Sequence, residues 1–178
     1  PEMLIDALPQ AMRVLTSPAE TGAVTLALPQ DVQAEAWEWP EGLLEPRTWI
    51  VPRTRPDASS LQAAAKLIAT ARRPMIVVVG GVFNSDDAEA LERLVTHLGI
   101  PFTETQAGKG ALPWDHPLNM GALGSTGSSA GNAVAHDADV VIAIGTRLSD
   151  FPTMSWSAWQ HPDVRFVALN VAELEAAK

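Results

Sequence analysis

A glycine-rich segment is the densest chemical signal in this sequence, with Gly121, Gly124 and Gly127 leading into a helical pattern near Ser128. Glycine lets backbone amides approach an anion closely, and the free N–H groups of a helix N-terminus favour negative charge. The segment can therefore be a cradle for a nucleotide phosphate. It departs from the G-x-G-x-x-G fingerprint and follows no predicted strand directly. Taken alone, it fits a close-packed turn with an ordinary helix cap better.

A second candidate is the loop that runs from Gly145 to Phe151, directly after a predicted buried strand. Sheets of parallel strands bind ligands beyond the carboxyl ends of those strands. Arg147 could bind a phosphate or a carboxylate through two hydrogen bonds, or it could pair with Asp150 and fix the loop. The sequence leaves both alternatives open.

Two further motifs resemble active sites. Residues 127–131 match the G-x-S-x-G of a hydrolase nucleophile elbow, but that elbow requires a strand immediately before its serine. Residues 117–126 show no β pattern, so we interpret the match as coincidence. Asp115 and His116 are adjacent in Trp114–Pro117, where a turn is the simpler interpretation, because neighbouring side chains rarely converge on one ion. We predict no catalytic residue and no metal site.

The composition is that of an acidic globular protein. Of 178 residues, 47% are hydrophobic and 19% charged, and the formal net charge is -9. This length allows one ordinary domain with a short appendage. The negative charge and the lack of a basic stripe argue against nucleic acid as a partner. No apolar run approaches the roughly 20 residues that span a bilayer, and the absence of cysteine fits a reducing cytoplasm.

Apolar runs that alternate with helical patterns predict the fold class. Strands are predicted in four apolar segments, at residues 75–79, 100–104, 140–144 and 165–169. Helices are predicted around them, at about residues 57–72, 85–99 and 128–136. Asp57 or Ser59 is the expected cap of the first helix and Ser85 that of the second. We therefore predict an α/β fold with a doubly wound, Rossmann-like parallel sheet.

The N-terminal part of the sequence has less regular patterns. A helical pattern covers residues 3–16, although Pro9 should kink or break it, and an apolar run at 23–28 predicts a short buried strand. Tryptophans and prolines then interrupt every pattern, which is typical of a linker crossing a surface. The predicted parts are an N-terminal segment, a linker and the parallel-sheet domain, at residues 1–36, 37–56 and 57–178.

Both ends of the sequence suggest a piece of a longer protein. The chain begins at Pro1 without an initiator Met and runs straight into a helical pattern, and it stops at Lys178, just as another helix is predicted to start after Asn170. If the parent sheet continues, this chain lacks its last strand and exposes an edge. We expect such a truncated sheet.

Taken together, several segments resemble the central domain of thiamine-diphosphate-dependent enzymes, a domain shared by acetohydroxyacid synthase, pyruvate oxidase and oxalyl-CoA decarboxylase. The resemblance is carried by residues 103–119, 121–132 and 138–151. Residues 24–36 also resemble the end of the pyrimidine-binding domain that comes first in these enzymes. The sequence at 106–118 and 145–151 most closely resembles one branch of the family, the ring-opening hydrolases of inositol catabolism.

The resemblance implies a parent enzyme that cleaves a C–C bond of a trihydroxycyclohexane-1,2-dione and releases an open-chain acid. Thiamine diphosphate and Mg²⁺ would be held by the flanking domains, through an activating Glu and a Gly-Asp-Gly…Asn segment that this sequence does not contain. The chain itself would be a non-catalytic scaffold whose partners are those domains. The parent is expected to be a cytoplasmic homo-oligomer.

Some members of this family bind FAD or ADP at the central domain, through the glycine-rich turn and a Gly-x-Arg loop. The matching positions here are Gly121, Gly124, Gly127, Gly145 and Arg147. Ring opening by hydrolysis has no redox step, so a nucleotide site could be vestigial. Two alternatives stay open, namely an autonomous nucleotide-binding module and an enzyme similar to acetohydroxyacid synthase.

Overall fold

A computed structural model describes residues 1–177 of the chain, which divides into two compact units, Pro1–Thr54 and Arg55–Lys178. The division falls inside the segment predicted to be a linker. The domain boundaries of a longer protein stay a prediction.

The first unit is mostly irregular. It contains helices α1 (Met3–Leu15) and α2 (Gln30–Gln33) and one 3₁₀ turn (Glu41–Leu43). Helix α1 continues through Pro9 instead of breaking there.

The strand predicted at residues 23–28 is wrong. These residues form no regular element, and Leu26 and Leu28 are exposed. A strand needs a neighbour to accept and donate its backbone hydrogen bonds. Residues 1–54 contain no strand with which the run could pair, so an apolar run alone does not produce one.

The second unit is built on five parallel strands. These are β1 (Pro74–Val78), β2 (Phe102–Glu104), β3 (Asn119–Ala122), β4 (Val140–Ile144) and β5 (Arg165–Leu169). Their spatial order is β3-β2-β1-β4-β5. The chain therefore winds outward from β1 in both directions, and the order reverses between β1 and β4. This is the predicted doubly wound sheet.

Helices cover the sheet and fill its connections. They are α3 (Ala58–Thr70), α4 (Gly81–Ser85), α5 (Ala88–Leu98), α6 (Ser129–Asp137), α7 (Asp150–Thr153) and α8 (Glu173–Ala176). As predicted, Asp57 caps α3, where its carboxylate accepts the amide N–H of Ser60 at 2.9 Å. Hydrogen bonds from Ser59 and Ser60 hold the pKa of Asp57 below its ordinary value. Ser128 caps α6, and a helix does follow Asn170.

Two elements differ from the prediction. Ser85 does not cap α5; it ends the short helix α4, where its Oγ donates to the carbonyl of Gly81 at 2.8 Å. The N-cap of α5 is Asp87. Strand β3 was not predicted, because its sequence Asn-Met-Gly-Ala has no apolar run and the strand is only half-buried at the sheet edge.

The core lies on both faces of the central strands. Alternate residues of β1 point to opposite faces, so Ile76 and Val78 pack in one cluster and Met75 and Val77 in the other. All four side chains are fully buried. Ile76 lies opposite Phe102 on one side and Ile142 on the other. Burial on both faces explains why this strand reads as a continuous apolar run.

Asp139 joins the beginnings of the two central strands. Its carboxylate accepts the amide N–H groups of Arg72 and Arg73, at 2.7 and 2.9 Å. Burial acts to raise the pKa of Asp139, but the hydrogen bonds from these two amides outweigh it and hold the pKa below its ordinary value. The carboxylate thereby fixes the entry of β1 beside that of β4.

Candidate functional site

A crevice opens at the carboxyl ends of β1 to β4. Its volume is about 1090 Å³, around the upper end of the range found for small-molecule sites. Its walls come from residues of β2 and β3 and from the loops that follow each of the four strands. Polar residues on its walls are Asn84, Glu104, Thr105, Gln106, Lys109, Asn119, Thr126, Thr146, Arg147 and Ser149. A doubly wound sheet places its ligand crevice at this edge, beside the point where the strand order reverses.

The loops that follow β1 and β4 touch through their backbones. A Cβ placed on Gly81 would lie 2.6 Å from the Cα of Gly145, and one placed on Gly145 would lie 2.7 Å from the Cα of Gly81. Any side chain at either position would force the loops apart. The two glycines therefore bring the ends of the two central strands together, and both line the crevice.

The amides of the glycine-rich turn are used inside the fold. Gly121 donates to Asn119 Oδ1 at 2.8 Å, and Gly124 donates to Asn132 Oδ1 at 3.0 Å. Gly127 donates to the carbonyl of Gly124 at 2.8 Å. None of these three amides is left to bind an anion. Of the three glycines, only Gly121 lines the crevice.

Close packing accounts for the glycines of this turn. Gly124 has φ +104°, and a Cβ on it would lie 2.4 Å from the carbonyl oxygen of Phe151. A Cβ on Gly127 would lie 2.7 Å from the carbonyl oxygen of Ala122. The turn thus packs closely between β3 and α7, as expected if the motif is a close-packed turn and not a phosphate cradle. A nucleotide role for Gly124 and Gly127 stays a prediction that these contacts do not support.

Ser128 is tied to the backbone. Its Oγ accepts the amide N–H of Gly131 at 2.9 Å and donates to the carbonyl of Met120 at 2.5 Å. The nearest strand in sequence, β3, ends at Ala122, and the backbone of Ser128 is extended rather than strained. His136 pairs with the neighbouring carboxylate of Asp137 at 2.8 Å. The match to a nucleophile elbow is therefore a coincidence, as the sequence indicated.

Arg147 lines the crevice with an exposed side chain. Within residues 1–177 it forms no ion pair with Asp150, so the alternative in which this pair fixes the loop is not the one adopted. The loop is instead held by the amide of Gly145, which donates to the carbonyl of Leu169 at 2.7 Å. Lys109 is a second exposed cation on the crevice wall.

The crevice also contains buried polar side chains, of which sequence reasoning missed Glu104 and Thr105, whereas Thr146 lies in the candidate loop at 145–151. Glu104 is 7% exposed, Thr105 9% and Thr146 4%. The hydroxyls of Thr105 and Thr146 form no hydrogen bond with the part of the chain that the structure describes. One signal was available: Glu104 ends a predicted strand, where parallel sheets keep their binding groups.

Within residues 1–177, no three His, Cys, Asp or Glu side chains converge as metal ligands. The ring of His116 is used in the fold: its Nδ1 accepts the amide N–H of Leu118 at 3.1 Å, and the ring packs on Phe102.

The part of the chain that the structure describes contains no helix that is long and apolar enough to cross a membrane.

Comparison with known proteins identifies the family to which this chain belongs. A model of the central domain of thiamine pyrophosphate enzymes matches residues 61–178. The chain belongs to the thiamine pyrophosphate enzyme family. The parallel sheet and its crevice are thus those of a thiamine pyrophosphate enzyme central domain, which confirms the resemblance stated from the sequence.

Several curated relatives of this central domain are named 3D-(3,5/4)-trihydroxycyclohexane-1,2-dione hydrolase. The protein of that name from Clostridium tetani is 47% identical over 178 residues, covering 100% of this chain and 28% of the relative. Those from Geobacillus thermodenitrificans and Bacillus cereus are each 46% identical over the same coverage. The chain therefore spans about 28% of the length of the curated relatives it matches.

Proposed function

We propose that this chain is the non-catalytic central domain of a thiamine-diphosphate-dependent hydrolase that opens the ring of 3D-(3,5/4)-trihydroxycyclohexane-1,2-dione in inositol catabolism. The observation that carries the proposal is the identity of 46–47% over all 178 residues to relatives with that name. The catalytic groups, the cofactor and Mg²⁺ then belong to other domains of the parent protein.

The scaffold role is supported by how the side chains of the chain are used. Ser128 and His116, which belong to the two motifs that resemble active sites, are hydrogen-bonded within the fold. The strands that carry the crevice are braced at their entry by Asp139 and at their exit by the contact of Gly81 with Gly145. A rigid middle domain of this kind can hold two catalytic domains in a fixed relation. We also propose that the parent protein is a cytoplasmic homo-oligomer.

An assay of the parent protein tests the reaction. With thiamine diphosphate and Mg²⁺, the parent should convert the cyclic dione to an open-chain acid, detected by mass spectrometry as the gain of one water. Formation of acetolactate from pyruvate without dione hydrolysis would overturn the assignment in favour of an enzyme similar to acetohydroxyacid synthase.

Calorimetry tests whether the cofactor belongs elsewhere. Titration of the 178-residue chain with thiamine diphosphate and Mg²⁺ should give no binding heat, whereas the parent protein should bind under the same conditions. Micromolar binding to the chain alone would contradict the non-catalytic assignment.

A second candidate function for the crevice is the binding of ADP or FAD. It is favoured by the position of the crevice at the switch point of the sheet, with Arg147 and Lys109 on its walls. A thermal-shift screen with ADP, FAD and NAD⁺ tests it. For a Kd of about 1 μM, about 100 μM ligand stabilises the folded chain by about 2.7 kcal/mol. No shift with any of the three would leave the crevice without this function.

A further inference from the structure

Large apolar side chains are exposed in residues 30–46 of the first unit. Trp37 and Trp39 are each 43% exposed, and Leu44 is 84% exposed. Within residues 1–54, the one hydrophobic residue that is buried is Ala11. Exposed apolar residues that lie close together mark interaction sites, and tryptophan is among the residues that contribute most to binding at such sites. This segment therefore has the composition of a docking segment.

The backbone around the two tryptophans is extended and partly fixed. Residues 36–40, between α2 and the turn at Glu41–Leu43, form no regular element. Pro40 has φ −56° and ψ 131°, close to the polyproline II conformation. A proline also restricts the residue before it, here Trp39, to extended conformations. A segment that is fixed in this way loses less conformational entropy when it binds in a groove.

The charges of the segment all have one sign. Residues 30–46 contain no Lys, Arg or His, and none of their carboxylates forms an ion pair within residues 1–177. All of these carboxylates are exposed, namely Asp31, Glu35, Glu38, Glu41 and Glu45. The side chain of Glu38 stands in sequence between the two exposed tryptophans. A partner that covers these tryptophans must therefore also neutralise carboxylates.

This charge pattern decides what kind of partner fits. Nucleic acid and anionic lipid headgroups are repelled by a segment that carries only negative charge. A second copy of the chain would bring the same carboxylates together, in a protein whose net charge is already -9. The complementary surface is that of a protein with an apolar groove flanked by Lys and Arg. Under the proposed function, most of the parent's surface lies outside a chain that covers 28% of its relatives.

We propose that residues 30–46 bind an apolar groove flanked by Lys and Arg on a part of the parent protein outside residues 1–178. Trp37 and Trp39 occupy the groove, and the carboxylates around them face its basic rim. The proposal rests on the proposed function only for the existence of a longer parent, and it is independent of the reaction that the parent catalyses.

Hydroxyl-radical footprinting of the whole parent protein and of the 178-residue chain tests the proposal without any substitution. Oxidation of Trp37 and Trp39, measured by mass spectrometry of peptides, should be several-fold slower in the parent. Trp159, which is 6% exposed, is the control and should react slowly in both proteins. Because about 1 M salt shortens the screening length to about 3 Å, it should remove much of the protection in the parent.

Two outcomes of the footprinting would overturn the proposal. Equal oxidation of Trp37 and Trp39 in the two proteins would show that the segment stays uncovered. Protection in the isolated chain that rises with its concentration would assign the segment to contact with a second copy. Dione hydrolysis by the same parent sample tests the proposed function separately, so a failure of one leaves the other standing.

Charge reversal then tests the basic rim. The parent with Glu38→Lys and Glu41→Lys should oxidise Trp37 several-fold faster, at a rate close to that of the isolated chain. Glu92→Lys, on the exposed surface of α5, is the matched control and should leave the rate unchanged. Glu38→Gln with Glu41→Gln is the milder pair and should give a smaller increase. Protection that is insensitive to both salt and charge reversal would contradict a partner with a basic rim.

Discussion

Individual glycines in this chain are required for different reasons. Gly124 combines φ +104° with a backbone neighbour 2.4 Å from the position of a Cβ, whereas Gly99 has φ +64° and open space around it. The first position excludes a side chain by both conformation and contact. The second is strained by conformation alone, as is usual for the residue that ends a helix.

Gly124→Ala should therefore destabilise the fold by about 2–4 kcal/mol, the sum of backbone strain and overpacking. Gly99→Ala is the matched control and should cost about 1–2 kcal/mol. Urea denaturation followed by circular dichroism measures both. Equal costs would show that the contact with Phe151 relaxes freely.

Asp139 should make stability depend on pH. Its pKa is lowered in the folded chain, so the unfolded chain takes up the proton first. The stabilisation is then present above about pH 4, the ordinary value for an aspartate, and is lost as the pH falls toward the lower folded pKa.

Asp139→Asn removes the charge that the amides of Arg72 and Arg73 bind, and should cost about 1–3 kcal/mol at pH 7. The gap in urea midpoint between this variant and the unmodified chain should narrow below about pH 4. Asp115→Asn, in an exposed turn, should leave the midpoint at pH 7 unchanged. A gap that stays constant down to pH 2 would contradict the role of the carboxylate.

At the scale of elements, the two central strands carry the core. Ile76 is fully buried between β2 and β4. Truncation of such a side chain removes its transfer free energy and leaves a cavity. Ile76→Ala should cost about 2–5 kcal/mol, as measured by urea denaturation.

Leu61→Ala provides the comparison for Ile76→Ala, because Leu61 is 57% exposed on α3. Its removal should change the free energy of unfolding by no more than about 0.5 kcal/mol. A cost of Leu61→Ala similar to that of Ile76→Ala would show that the outer face of α3 is covered in solution.

The predictability of each element follows from how it is buried. Strands β1 and β4 are covered on both faces, so their residues are apolar without interruption and the sequence reveals them. Strand β3 lies half-buried at an edge and carries no such run. The run at 23–28 shows the converse, because pairing depends on a partner strand and not on apolar character.

The crevice was only partly predictable. Gly145 and Arg147 line it, as expected for residues that directly follow a buried strand. Gly124 and Gly127 do not, because glycine serves close packing as readily as ligand approach, and a sequence does not separate the two uses. Glu104 was missed because its burial depends on the turn that contains Gly110, which no local pattern indicates.

At the scale of the whole molecule, protection from hydrogen exchange should be uneven. Exchange of buried core amides reports global unfolding, whereas frayed segments exchange locally. Amides of β1 and β4, whose residues are almost all fully buried, should exchange slowest. Amides of 21–29 and 46–56, which form no regular element, should exchange fastest.

Mass spectrometry of peptides after timed exchange in deuterated water measures this pattern. Strand β5 is partly exposed and, within residues 1–177, pairs with β4 alone, so its amides should exchange at rates between those of the two groups. Protection of β5 equal to that of β1 would mean that its outer edge is covered in solution, for example by a second copy of the chain.

The contact between Gly81 and Gly145 couples the effects of substitutions at the two positions. Alanine at Gly81 must move the loops after β1 and β4 apart, and alanine at Gly145 needs a similar separation. The double substitution should therefore cost less than the sum of the single ones, a negative interaction energy in a double-mutant cycle. A descendant that has lost one of these glycines is freer to lose the other, and its wider crevice would accept a different ligand.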